Sequence, residues 1–133
     1  MQVTPYLMLD GRADEAIEFY KTNLGATVKM LMRFKESPDQ TSCAAGSAEK
    51  VMHACIAIGD SNVMLSDGNN TGKPKFKGVS LTLGAKSEDE AEKMFAGLGN
   101  GGQVQMPLTK TFFAKRFGMV ADKFGVNWMV IAE

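Results

Sequence analysis

The tripeptide Asp14-Glu15-Ala16 recurs as Asp89-Glu90-Ala91, and each copy leads into a Leu-Gly pair, Leu24-Gly25 and Leu98-Gly99. A repeat of this kind constrains architecture more than local propensity does, because it makes the chain two copies of one supersecondary unit. In the first copy Ala13, Ala16, Ile17 and Tyr20 stand at i, i+3, i+4 and i+7, which predicts a helix over 13–23 with one apolar stripe, closed by Gly25. In the second, Ala91, Met94, Phe95 and Leu98 repeat that spacing. Ser87 is the expected N-cap, Glu90 completes a capping box, and Gly99 ends the helix.

The remaining apolar runs read as strands. Residues 3–9 precede the first helix, and 27–34, 51–58 and 62–66 follow it, the last two joined through Gly59-Asp60-Ser61, which suits a tight hairpin. The second copy offers 79–83 before its helix, then 103–106, 116–121 and 127–132. The order in each half is β-α-β-β-β, so the expectation is an α+β fold: a single domain over 1–133 with internal repeats at about 1–67 and 78–133. Two polar stretches interrupt the pattern, 35–50 and 67–78. The first is expected to be a mobile loop over a cleft and the second to join the halves.

With 133 residues the chain can bury a core without disulfides or a structural metal. Its 15 basic and 15 acidic residues leave no net field to attract nucleic acid or an anionic membrane. Cys43 and Cys55 form no CxxC motif, and Cys55 lies in an apolar run, as a reduced thiol would. The N-terminus lacks the pattern of a signal peptide and no apolar run reaches membrane-spanning length, so the expected location is the cytoplasm.

Several segments carry a family resemblance across nearly the whole chain. They are Pro5-Tyr6-Leu7, Ala16-Ile17-Glu18-Phe19-Tyr20 with Leu24-Gly25-Ala26, His53-Ala54 with Ile58, Met64-Leu65-Ser66-Asp67, and Phe117-Gly118 through Asp122-Lys123-Phe124-Gly125-Val126 to Trp128-Met129. Together they resemble the vicinal-oxygen-chelate superfamily of glyoxalase I, bleomycin-resistance proteins and extradiol dioxygenases, and within it the PhnB-like branch, whose domains carry a demethylubiquinone methyltransferase-like label. The resemblance implies two curled mixed sheets around a ligand cleft, and a homodimer. The four metal-ligand positions of the metal-dependent members fall on Pro5, His53, Val79 or Ser80, and Met129. Of these only His53, the one histidine of the chain, suits a divalent ion. No metal and no cofactor are therefore expected.

His53 alternates with Val51, Cys55 and Ala57, while Met52, Ala54, Ile56 and Ile58 occupy the other face of the strand. If that second face packs on the helices, His53 points away from them, where it would serve either as a general base or hydrogen-bond donor to a ligand or as a satisfied histidine. Ser80 and Thr82 place hydroxyls on one strand face; Arg33 and Arg116 could hold an anion or lie solvated; Phe113 and Trp128, with Phe112 and Phe117, could wall a cavity or belong to core or interface. The run Gly97-Leu98-Gly99-Asn100-Gly101-Gly102 follows a helix, whereas a dinucleotide loop follows a strand, so it is expected to be a helix stop and a turn. The ten methionines are expected to be adaptable packing. The leading functional expectation is a small organic ligand bound without the usual metal site. The alternatives are a lyase, isomerase or dioxygenase with a relocated metal site on His53, a non-catalytic sequestering binder, or a structural dimer whose cleft is vestigial.

Overall fold

In a computed structural model the described residues are 1–38, 48–68 and 72–133; Cys43, most of the predicted 35–50 loop and the Asn69–Thr71 part of the second polar stretch lie outside them. The chain forms two compact units, Met1–Pro74 and Lys75–Glu133. Each repeats the predicted β-α-β-β-β order.

The first unit contains β1 (Tyr6–Met8), α1 (Ala13–Leu24), β2 (Thr27–Arg33), β3 (Val51–Ile58) and β4 (Ser61–Ser66). Its sheet runs β1-β4-β3-β2, with β1 parallel to β4 and the other pairs antiparallel, so the sheet is mixed and unclosed. The helix ends where its sequence stops supporting it: Gly25 takes a left-handed φ of 66°, and the next amide, Ala26 N–H, donates back to Tyr20 O at 3.2 Å. Ala13, Ala16, Ile17 and Tyr20, the predicted stripe, are buried with Phe19. They lie over Ala54, Ile56 and Leu65, all with no exposed surface. Burying each large side chain of this layer stabilises the unit by roughly 1.5–3 kcal/mol. Ala54 and Ile56 are the β3 face that the sequence assigned to helix packing, so His53 and Cys55 stand on the opposite, half-buried side. Ile58 and Ser61 pair across Gly59-Asp60, and Gly59 has the positive φ, 58°, that such a short connection needs.

β1 is shorter than predicted, since Pro5 has no amide to give and contributes only its carbonyl, which accepts from Met64 N–H at 2.9 Å. A single 3-10 turn, Phe34–Glu36, occupies the start of the stretch read as loop. Asp67 fastens the unit from inside. Its Oδ1 accepts from Ala13 N–H and its Oδ2 from Val51 N–H, both at 2.8 Å, tying the first turn of α1 to the first residue of β3.

The second unit contains β5 (Leu81–Ala85), α2 (Glu88–Gly99), β6 (Gln103–Thr109), β7 (Arg116–Ala121) and β8 (Asn127–Ala132), in the sheet order β5-β8-β7-β6. Again the first strand is parallel to the last, and the rest are antiparallel. Ser87 caps α2, its Oγ accepting from Glu90 N–H at 3.1 Å. Two strands differ in extent from the sequence reading. β5 begins at Leu81, not Val79: Asn127 Nδ2 donates to the carbonyls of Phe76 and Val79, holding this approach off the ladder. β6 runs on to Thr109, its pairing with β7 continuing through an irregular register beyond Met106. The glycine run after α2 is the expected helix stop and turn, with Gly101 at φ 79°.

Candidate functional site

Each unit has a helix on one side of its sheet and an open face on the other, and strand register fixes which residues share that face. In the first unit Tyr6 pairs with Met64, Met64 with Cys55, and Cys55 with Met30. Residues directly opposite on neighbouring strands point the same way, so these four form one row across the sheet. The next row holds Met8 beside Ser66, and His53 beside Met32. The two rows are thus built of thioethers, a free thiol, a phenol, an imidazole and the Ser66 hydroxyl, without a charged side chain in either.

Its polar centre is the pair Tyr6–His53. The phenol oxygen lies 2.8 Å from His53 Nδ1, and the ring centroids are 5.5 Å apart at 32°. Partial burial pushes the Tyr6 hydroxyl above its ordinary pKa, opposed in lesser degree by a side-chain hydrogen bond with Ser66, so the phenol is protonated at neutral pH. Two tautomers satisfy this geometry. With Tyr6 O–H donating to Nδ1, the imidazole presents Nε2–H as a donor; with Nδ1–H donating to the phenol oxygen, it presents the Nε2 lone pair as an acceptor or base. Tyr6, 41% exposed, was singled out in the sequence only as part of a family segment. The parallel pairing of β1 with β4 is what brings it within reach of β3.

The other sequence candidates are placed as follows. Arg33 makes a bidentate contact with Asp14, Nη1 to Oδ2 at 2.9 Å and Nη2 to Oδ1 at 3.0 Å, and Nη1 also donates to Glu49 O at 2.7 Å. Hydrogen bonding to Arg33 holds the Asp14 carboxyl below the usual carboxylate range and raises the guanidinium in turn. Arg116 bridges Glu88 at 3.0 Å and Glu92 at 3.5 Å on α2. Each guanidinium thus clasps a strand to a helix while keeping part of its surface exposed. Trp128 is 2% exposed on the helix-facing side of β8, and its Nε1 donates to Asp122 Oδ2 at 2.9 Å, which makes it core and not a cavity wall. Asp122, itself buried, also accepts from Phe124 N–H and Val126 N–H, fixing the β7–β8 turn.

Thr82 is exposed on the open face of the second sheet and pairs with Met129, which pairs with Met119. Ser80, half-buried, lies just before β5. Phe113 packs edge-on against Phe112 and Phe117, with centroids 5.2 and 5.1 Å apart, and Phe117 is on the same open face.

The donor set carried over from metal-dependent relatives does not fit a hard or borderline divalent ion. Pro5 and Val79 have no side-chain lone pair, Met129 offers a thioether, and no group of three or more His, Cys, Asp and Glu residues converges among the described residues.

Two mixed, unclosed sheets of β-α-β-β-β order, each with a helix on one face, define the glyoxalase/bleomycin-resistance fold. The same fold appears in a glyoxylase/bleomycin resistance protein/dioxygenase domain from Frankia sp. EAN1pec, at TM-score 0.72 and 12% identity over 99% of this chain and 96% of that one. Within that fold the chain belongs to the PhnB-like family described as 3-demethylubiquinone-9 3-methyltransferase, which it matches over residues 1–131. Protein PA1353 from Pseudomonas aeruginosa superposes with TM-score 0.89 at 40% identity, over 100% of this chain and 98% of that chain. A PhnB protein from Bacillus cereus gives TM-score 0.80 at 26% identity, over all of both chains. Protein YjdN of Escherichia coli is 33% identical over 98% of this chain and 94% of its own length.

Proposed function

We propose that this chain binds a small, uncharged organic molecule on the open face of its first unit and does so without a divalent metal. The observation that carries this is the Tyr6–His53 hydrogen bond at 2.8 Å, set in two rows that otherwise hold methionine, cysteine and Ser66. An unbranched thioether surface adapts to the outline of a planar apolar guest, and sulfur–aromatic contacts add to its affinity. The imidazole, backed by the phenol, gives that guest one hydrogen bond of either sense and a place to leave or take a proton. Arg33 and Arg116 answer carboxylates of the chain itself, so an anionic ligand finds no clamp in them. Thr82, Ser80 and Phe113 are candidate contacts for a ligand on the second unit taken by itself.

Methyl transfer is not part of this reading: the glycine run closes α2, whereas a nucleotide loop opens a helix. A homodimer in the cytoplasm completes the proposal, supported by the exposed edge strands β2 and β6 and by a free thiol at Cys55.

The test is a thermal-shift screen of uncharged aromatic and quinoid compounds against wild type, Tyr6→Phe and His53→Gln, with and without divalent ions. Hits that stabilise wild type in the presence of a chelator and lose most of their effect in His53→Gln support the reading. An empty screen, or hits that need a divalent ion, sinks it. Turnover of a hit, abolished in His53→Gln, would make the pair catalytic, whereas binding without turnover would make the chain a sequestering protein.

A further inference from the structure

We propose that the sulfur row of the first sheet, Met30–Cys55–Met64, together with His53, is a binding site for a soft monovalent cation, Cu(I). This rests on the register of the strands and not on the organic-ligand reading above.

Met30 pairs with Cys55 and Cys55 with Met64, so the thiol stands midway between two thioethers on one face of the sheet. Neighbouring strands are about 4.8 Å apart, and a methionine side chain has three rotatable bonds, so both flanking sulfurs can swing over the central one. His53 lies two residues from Cys55 along β3 and therefore on the same face. Its Nδ1 is hydrogen-bonded to Tyr6, which leaves Nε2 as the ligating nitrogen and gives it the oxygen partner that metal-bound imidazoles ordinarily have behind them. Met8 and Met32 occupy the adjoining row.

The chemistry of these donors selects the ion. Thioether and thiolate are soft ligands that favour Cu(I), while carboxylates, which would recruit magnesium, calcium or manganese, are absent from both rows. One thiolate with neutral thioethers and imidazole balances a single positive charge, leaving a neutral complex on an apolar face. Cys55 is a free thiol, and Met30, 43% exposed, leaves the row open to solvent for ion entry.

The second sheet supplies a built-in comparison. There Met106 pairs with Met119 and Met119 with Met129, the same row with a third thioether in place of the thiol. Phe117 stands two residues before Met119, where the first sheet has His53. That row lacks both the anionic and the nitrogen donor, so the first row is the tighter site.

The experiment is anaerobic competition of the reduced, full-length protein with a chromophoric Cu(I) chelator, bicinchoninate, read from the absorbance of the chelator complex. Wild type should withdraw one equivalent of Cu(I). Cys55→Ser and the double variant Met30→Leu/Met64→Leu, which preserves volume and apolar character, should each weaken binding by roughly tenfold or more. Cys43→Ser should bind as wild type does, and circular dichroism of each apo variant should match wild type. Failure of wild type to compete overturns the proposal. So does undiminished binding by the double methionine variant, which would place the ion elsewhere, on Cys43 or the second row.

Discussion

Asp67→Asn tests how the first unit holds its functional strand. The two oxygens of this buried carboxylate each accept one backbone amide, Ala13 N–H at the start of α1 and Val51 N–H at the start of β3, both at 2.8 Å. Replacing one oxygen by an NH2 group sets a donor against a donor, and the displaced amide is left unsatisfied inside the protein. A buried unsatisfied group costs about 1–3 kcal/mol, and losing the negative charge at the first turn of α1 adds roughly 0.3–1 kcal/mol. The expected loss is therefore about 1–4 kcal/mol, a large fraction of the total stability of a domain of this size. The bonds at the Val51 carbonyl amplify it, since Val51 O accepts from Asp67 N–H at 2.9 Å and from Ser66 Oγ at 3.4 Å, so a shift in the side chain is felt by both backbone groups of that residue. Urea unfolding followed by circular dichroism measures the effect as a lower midpoint at unchanged slope. A loss below about 0.5 kcal/mol would refute the reasoning, because an exposed carboxylate behaves that way and a doubly bonded buried one does not.

Three further outcomes follow from individual contacts. Gly118→Ala should destabilise the second unit by about 1–3 kcal/mol in the same urea assay, because a Cβ there would come within 2.7 Å of the Phe95 ring and 2.9 Å of Leu108 Cα. Between pH 5 and pH 2 wild type should lose slightly more stability than Asp14→Asn: the folded pKa of Asp14 is depressed by Arg33, so its contribution is present above the unfolded value near 3.8 and is lost as pH falls through the folded one. Both partners are partly exposed, so the effect is capped at about 1 kcal/mol, and identical acid profiles would remove the ion pair from the account. In a spectrophotometric titration the wild-type minus Tyr6→Phe difference should show Tyr6 ionising above the ordinary tyrosine range; an ionisation at or below pH 10 would contradict its burial against His53.

The repeat was legible because helix stripes and strand alternation are local signals: all eight described strands and both α-helices overlap segments that the period of apolar residues marks out. The side of β3 that carries His53 was legible for the same reason. What escaped were partners that only the paired sheet creates. Arg33 finds Asp14 nineteen residues back, and Arg116 finds Glu88 and Glu92 on the preceding helix, so each read from its own strand as unattached. Trp128 alternates correctly for the core, but its hydrogen bond to Asp122 turns on the geometry of the β7–β8 turn.

The alignment of the two copies shows why the site itself was hidden. By register Tyr6, Met64, Cys55 and Met30 of the first sheet correspond to Thr82, Met129, Met119 and Met106 of the second. No single offset in sequence produces these four equivalences, because seventeen residues separate β2 from β3 and only six separate β6 from β7. Once the rows are matched, the scaffold cancels and the differences stand alone. Thioethers recur in both copies, as a packing surface would require. Tyr6, His53 and Cys55 occur in the first copy only, against Thr82, Phe117 and Met119 in the second. A duplicated fold needs none of those three substitutions for its stability, since the second sheet forms without them. The chemistry particular to this chain is therefore to be sought on the one face where phenol, imidazole and thiol meet.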